Sequence, residues 1–149
     1  MRAVMTTPSA VPMPHVDGVT HREVTAAGTT FHVAEAGSGP PVLLLHGWPQ
    51  HWYAWRKVIP RLAAEHRVIV PDLRGFGWSA VSAGDFGKQA LANDIVPLLD
   101  ALELDRVDLV AHDWGAWIGF MVALDHPERI GHYLALNMYA PWAAPPSAR

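Results

Sequence analysis

VDLVAHDWGAWIGFMVAL, residues 107–124, is the stretch that decides how this chain is read. Its opening, Val107–His112, is a short apolar run of the kind that forms a buried strand. The apolar stretch 115–124 shows no polar side, so a helix there is expected to be deeply buried. Between them stands Asp113. A strand that passes into a helix this abruptly leaves its junction residue on a strained turn. Small residues are then needed two positions to either side, and Ala111 and Gly115 stand there. Such an elbow lifts its central side chain above the end of a sheet. A carboxylate at that place, with an unperturbed pKa of about 4, is already ionised at neutral pH. It needs no base for a first attack and suits displacement at saturated carbon, which leaves an alkyl ester. An aspartate can also stand there merely as a helix cap, but the paired small residues favour the elbow.

Working outward, the same strand-then-helix rhythm recurs. Two short strands, 20–26 and 30–36, are expected to form a hairpin through Gly28. Residues 37–40, Gly-Ser-Gly-Pro, make a turn, and 41–46 is a continuous apolar strand of the type buried on both faces. Helical spacing begins near His51, with Trp52, Trp55, Val58, Ile59 and Leu62 on one side; Pro60 must kink or interrupt it. A strand at 68–70 follows, then a helix over 90–102 that contains Pro97, and a last strand at 131–137. The tail 140–149 is expected to be irregular, and residues 1–18 to be a flexible leader. Strands alternating with helices predict an α/β fold: a mostly parallel sheet with helices on both faces, the domain beginning near residue 19.

Two further motifs fall directly after predicted strands, where ligands bind in parallel sheets. In His46-Gly47-Trp48-Pro49, Gly47 lets the chain turn. The backbone N–H groups of Trp48 and Trp114 are placed to meet a developing oxyanion, and one such donor is worth about 2.7–4 kcal/mol. His46 is read as pocket-lining or structural. The third motif, 72–79, combines Asp72 and Arg74 with two glycines, and both charged residues are expected to organise the loop without reacting. The remaining histidines lie on predicted surfaces or helix ends, without metal-ligand spacing.

Composition bounds the rest. The chain has 149 residues, 50% of them apolar, enough for one cored unit. A net charge of −3 with 17% charged residues leaves no basic footprint for nucleic acid. With 0 cysteines, disulfide scaffolds and thiolate metal sites are excluded. No apolar run approaches the ~20 residues of a membrane span, and the N-terminus lacks a signal-peptide core. A cytoplasmic protein without cofactor or metal is the expectation. Seven tryptophans fit either an aromatic pocket or ordinary packing.

With these residues in view, the chain resembles the epoxide hydrolase and haloalkane dehalogenase group of the α/β-hydrolase fold. The likeness is carried by His46-Gly47-Trp48-Pro49, by 71–77 (PDLRGFG) and by 110–116 (VAHDWGA), with 126–130 (HPERI) and 52–56 (WYAWR) adding to it. The resemblance implies that Asp113 attacks an epoxide carbon, that Trp48 and Trp114 supply oxyanion N–H groups, and that the Trp114 indole lines the substrate pocket; His46, in its own motif, stays a pocket-lining or structural residue. An aromatic at Trp48 is similar to epoxide hydrolases more than to dehalogenases. Asn137 stands where some dehalogenases keep an acid, and Trp114 where fluoroacetate dehalogenases have arginine.

The resemblance also implies a water-activating histidine, an acid to orient it and a lid bearing two tyrosines, and none of these is visible here. The chain is therefore expected to be the N-terminal portion of such an enzyme, inactive or limited to one covalent event. Its expected partners are a small apolar epoxide and either a complementary C-terminal fragment or a second copy. The same residues leave open a dehalogenase, or a binding module that has lost turnover. Glu103, where the resemblance leads one to expect glycine, costs roughly 1–2 kcal/mol if it adopts a left-handed cap.

Overall fold

The structure, a computed structural model, describes residues 11–139. β1 (Thr20–Ala26) and β2 (Thr29–Ala36) pair as an antiparallel hairpin. The two residues joining them, Ala27 and Gly28, have φ of 48° and 73°. Positive φ at both positions gives a turn whose twist matches that of its strands. β3 (Pro41–Leu45), β4 (Arg67–Pro71), β5 (Val107–His112) and β6 (Ile130–Leu136) run parallel to one another. The spatial order is β1-β2-β4-β3-β5-β6. From β3 the chain crosses to one side to form β4, then returns to the other side for β5. The loops leaving β3 and β5 thus diverge above adjacent strands, the crevice where open α/β sheets bind ligands.

β3 shows why the sheet is buried on both faces. Val42 and Leu44 point into one apolar cluster and Leu43 and Leu45 into another, all at most 5% exposed. One face is covered by α2 (Lys88–Ala92), α3 (Ile95–Ala101) and α4 (Trp114–Asp125), through Leu91, Ile95, Leu98, Leu99, Ile118 and Val122. The other is covered by a 3-10 turn, Trp52–Trp55, and α1 (Ile59–Leu62). Each such buried side chain contributes about 1.5–3 kcal/mol relative to exposure. Cover on that second face stops at β5. Val110 is only half-buried, and Leu134 and Leu136 on β6 are 53% and 38% exposed.

Several boundaries differ from expectation, each for a local reason. Pro60 starts α1 instead of kinking a longer helix, since a proline in the first turn has no N–H to lose. The helix predicted over 90–102 is two helices broken at Asn93-Asp94, and Pro97 falls in the first turn of the second. α4 is apolar all round but buried on one side only: Leu124 is 63% exposed and Trp117, Phe120 and Met121 are half-buried. Of the predicted leader, residues 1–10 lie outside the described residues, while Met13 and Val16 pack against the second cluster. The predicted irregular tail, 140–149, also lies outside them. No helix among the described residues is long and apolar enough to cross a membrane.

Candidate active site

Asp113 is the single residue between β5 and α4, and its backbone takes φ 53° and ψ −119°. An L-residue rarely adopts that conformation, at a cost of about 1–3 kcal/mol, so the surroundings must impose it. They do so by close approach. A Cβ on Gly115 would stand 2.4 Å from the His46 carbonyl oxygen and 2.6 Å from that of Leu45. One on Gly47 would stand 2.5 Å from Asp113 Cβ. The Asp113 N–H is held by the Leu136 carbonyl at 3.1 Å, and its own carbonyl accepts from Ala116 at 3.1 Å. The Tyr133 hydroxyl donates to the Ala116 carbonyl and ties β6 to the first turn of α4.

Register brings the elbow to the loop after β3. Leu45 pairs with Ala111, so two residues further along each strand Gly47 and then Trp48 reach Asp113. The Trp48 N–H donates to Asp113 Oδ1 at 2.9 Å. Burial acts to raise the Asp113 pKa, but the N–H groups of Trp48 and Trp114, with His112 and Lys88 nearby, outweigh it and hold it below the ordinary carboxylate value. The Trp48 and Trp114 rings lie 6.4 Å apart at 32°, and the Trp48–Pro49 bond is cis. Both expected N–H donors thus converge on the Asp113 carboxylate itself.

The loop is braced from below. Asp72, fully buried, accepts from the Trp52 N–H at 2.6 Å through Oδ1 and from the Trp78 N–H at 2.9 Å through Oδ2. His32 Nδ1 lies 2.8 Å from Asp72 Oδ2. Gly77 (φ 50°) passes so close that a Cβ there would be 2.2 Å from Asp72 Oδ2. Arg74 reaches a different partner, Asp94, at 2.8 Å. Asp72 and Arg74 therefore fix neighbouring segments and do not pair with each other.

His46 is corrected as a substrate contact. It has no exposed surface, its Nδ1 bonds to the Gly47 carbonyl at 2.9 Å, and its Nε2 accepts from the Leu73 N–H at 3.0 Å. Both ring nitrogens are spent on the backbone, which fixes the tautomer and ties the loop after β3 to the loop after β4. Burial lowers its pKa, more than its bond to Gly47 raises it.

Above the elbow lies an open cavity of about 450 Å³, lined by Lys88, Asp113, Trp114, Trp117, Asn137, Met138 and Tyr139. Of the residues expected here, the structure brings Asp113 and Trp114 to the cavity wall. Trp117 was missed, although it shares a helix face with Trp114 at the i, i+3 spacing. Asn137, Met138 and Tyr139 follow a strand end, a position that could have marked them. Lys88, at the start of α2, carried no signal. Among the described residues no group of side chains could hold a metal ion, and none of the resolved hydrogen bonds joins a histidine to Asp113. Chemically, the site presents an ionised carboxylate, gripped by backbone N–H groups, to an aromatic space.

Comparison with known proteins places these features. The family model described as alpha/beta hydrolase fold matches residues 40–148. The chain is 42% identical over 120 residues to a soluble epoxide hydrolase of Corynebacterium sp. (strain C12), covering 80% of this chain and 42% of that protein. It is 39% identical to a fluoroacetate dehalogenase of Burkholderia sp., covering 76% of this chain and 39% of that protein. The crystal structure of an epoxide hydrolase from Vigna radiata superposes with a TM-score of 0.78 at 41% identity, over 83% of this chain and 39% of that one. The chain thus spans about two fifths of the length of these relatives.

Proposed function

This chain belongs to the α/β-hydrolase fold family, and from that membership we propose that it carries the nucleophilic half of an epoxide hydrolase site, with Asp113 as the nucleophile. The observation that supports the reading is the strained Asp113 elbow, with one carboxylate oxygen held by the Trp48 N–H and the side chain on the wall of an aromatic cavity. Two of the relatives at about 40% identity, the Corynebacterium and Vigna radiata proteins, are epoxide hydrolases by name. In this reading one carboxylate oxygen donates its electron pair to an epoxide carbon. The ring C–O bond breaks, its electrons pass to the epoxide oxygen, and that oxygen takes a proton from the medium or from a general acid. The product is a hydroxyalkyl ester on Asp113.

Oδ1, already on the Trp48 N–H, becomes the ester carbonyl oxygen. It is then the atom on which negative charge develops when water attacks the ester, and the N–H groups of Trp48 and Trp114 form the oxyanion hole for that step. Hydrolysis also calls for a base to activate water, a task that no histidine bonded to Asp113 takes up among the described residues. The reading therefore confines them to binding and ester formation. Intact-mass analysis of the chain after incubation with phenyl glycidyl ether tests it. One adduct per chain, mapped to Asp113 and lost in Asp113→Asn, is expected; absence of that adduct overturns the assignment. The fluoroacetate dehalogenase relative favours a second reading, in which the same carboxylate displaces a halide. Halide release with no epoxide adduct would select it.

A further inference from the structure

One charged group on the cavity wall forms no bond in the ester-forming step. Lys88 lines the same cavity as Asp113, and its Nζ stands 4.3 Å from the centre of the Trp114 ring. Lys88 and Asp113 are close enough to interact electrostatically. Among the described residues, however, no carboxylate lies within ion-pairing distance of Nζ. The rest of the wall is Trp114, Trp117, Met138 and Tyr139, which are apolar or aromatic, and the uncharged amide of Asn137.

An ammonium with three donors gains little from a ring face alone. When a ligand fills the cavity and displaces water, an unpaired cation loses solvation, and only a ligand that brings an opposite charge compensates it. An anionic ligand would otherwise be repelled by Asp113. Lys88 offsets that repulsion on the same wall and gives the anion a place away from the nucleophile.

We infer that Lys88 is a specificity-determining residue, and that the cavity takes substrates with an apolar body and a carboxylate, the body on Trp114 and Trp117, the carboxylate on Lys88 and the electrophilic carbon at Asp113. This inference rests on the function proposed above. The covalent step is unchanged: one Asp113 C–O bond forms, one ring C–O bond breaks, and the epoxide oxygen takes a proton from the medium.

The test compares 4-carboxyphenyl glycidyl ether with phenyl glycidyl ether, following the Asp113 adduct by mass spectrometry. The carboxylated epoxide is expected to label faster by roughly two- to fivefold, in line with a partly exposed charge pair. The ratio falls towards one in Lys88→Met and is kept in Lys88→Arg. A parallel titration of Asp113→Asn with the two unreactive diols, 3-(4-carboxyphenoxy)propane-1,2-diol and 3-phenoxypropane-1,2-diol, reads recognition without chemistry. Adducts formed at equal rates, or a preference unchanged in Lys88→Met, overturn this inference and leave the proposed function standing. A Lys88-dependent preference for the carboxylated diol with no adduct from either epoxide overturns the proposed function and leaves the recognition. Neither adduct nor preference overturns both.

Discussion

Asp113 holds its position against its own backbone preference, since φ 53° with ψ −119° suits glycine and not an L-residue. Replacing it by glycine removes a strain of about 1–3 kcal/mol and forfeits the carboxylate's bond to the Trp48 N–H, which water can take over because Trp48 is 60% exposed. Glycine also brings back unfolded-state entropy, roughly 0.5–1 kcal/mol. The urea midpoint of Asp113→Gly should therefore equal or exceed that of the parent, and a clear drop would mean that the elbow is unstrained. A second expectation follows from the charge. Burial raises the Asp113 pKa, yet the N–H groups of Trp48 and Trp114, His112 and Lys88 together bring it below the ordinary value. The carboxylate thus stays ionised to lower pH than an ordinary aspartate does. Initial rates of Asp113 labelling by phenyl glycidyl ether should therefore decline with acid later than the titration of an ordinary carboxylate would give, and a decline at higher pH than that would contradict the grip of the N–H groups. The same direction sets the linkage: the stabilisation that Asp113 gains from its N–H partners is present above the unfolded pKa and is lost as pH falls through the lower, folded one.

At the scale of elements, the end of α3 is the clearest case of a local conflict tolerated by the fold. The Leu104 N–H bonds to the Leu99 carbonyl at 2.9 Å and the Glu103 N–H to the Asp100 carbonyl at 3.0 Å. This is the paired closure that wants glycine at the left-handed position. Glu103 occupies it with φ 57°, while Leu104 and Leu99 bury the apolar contact beside it. Glu103→Gly should raise stability by about 1 kcal/mol in chemical denaturation; an unchanged or lower midpoint would show that the closure carries no strain. That conflict was visible in the sequence through the resemblance, which leads one to expect glycine at Glu103. The strands were visible from the residues themselves, as a run such as Val42 to Leu45 has no other way to be buried on both sides. Helix breaks were not legible. Pro60 and Pro97 read as interruptions, yet each sits in a first turn, and only packing against the sheet decides where that turn begins. At the site, the meeting of Asp113 with the Trp48 and Trp114 N–H groups was legible because all three residues sit in contiguous motifs at strand ends. His46 was misplaced, since burial of its ring depends on the Leu73 N–H, which no local pattern reveals. Lys88 reaches the cavity only through the packing of α2 beside α4.

Across the whole molecule, the two faces of the sheet are finished to different degrees. The face under α2, α3 and α4 carries the larger continuous core, while the opposite face is covered only as far as β3 and β4 by Trp52, Trp55 and Ile59. Over β5 and β6 the register places Val110 beside Leu134 and His112 beside Leu136, so these side chains share the uncovered face. Leu134 and Leu136 are 53% and 38% exposed there. β6 is also the last strand in the sheet order, and its outer N–H and C=O groups have no strand partner among the described residues. An unpaired edge next to an apolar face invites another chain on both counts, by strand addition and by burial of leucine. The 149-residue chain should accordingly sediment as a dimer or larger species at tens of micromolar, roughly the range where transiently exposed edges associate. Leu134→Lys combined with Leu136→Lys places two like charges on the open face and should shift it to monomer with the sheet intact by circular dichroism, because neither leucine contributes to the buried clusters. Sedimentation of the unmodified chain as a monomer at that concentration would show that the open face and edge do not suffice to drive association.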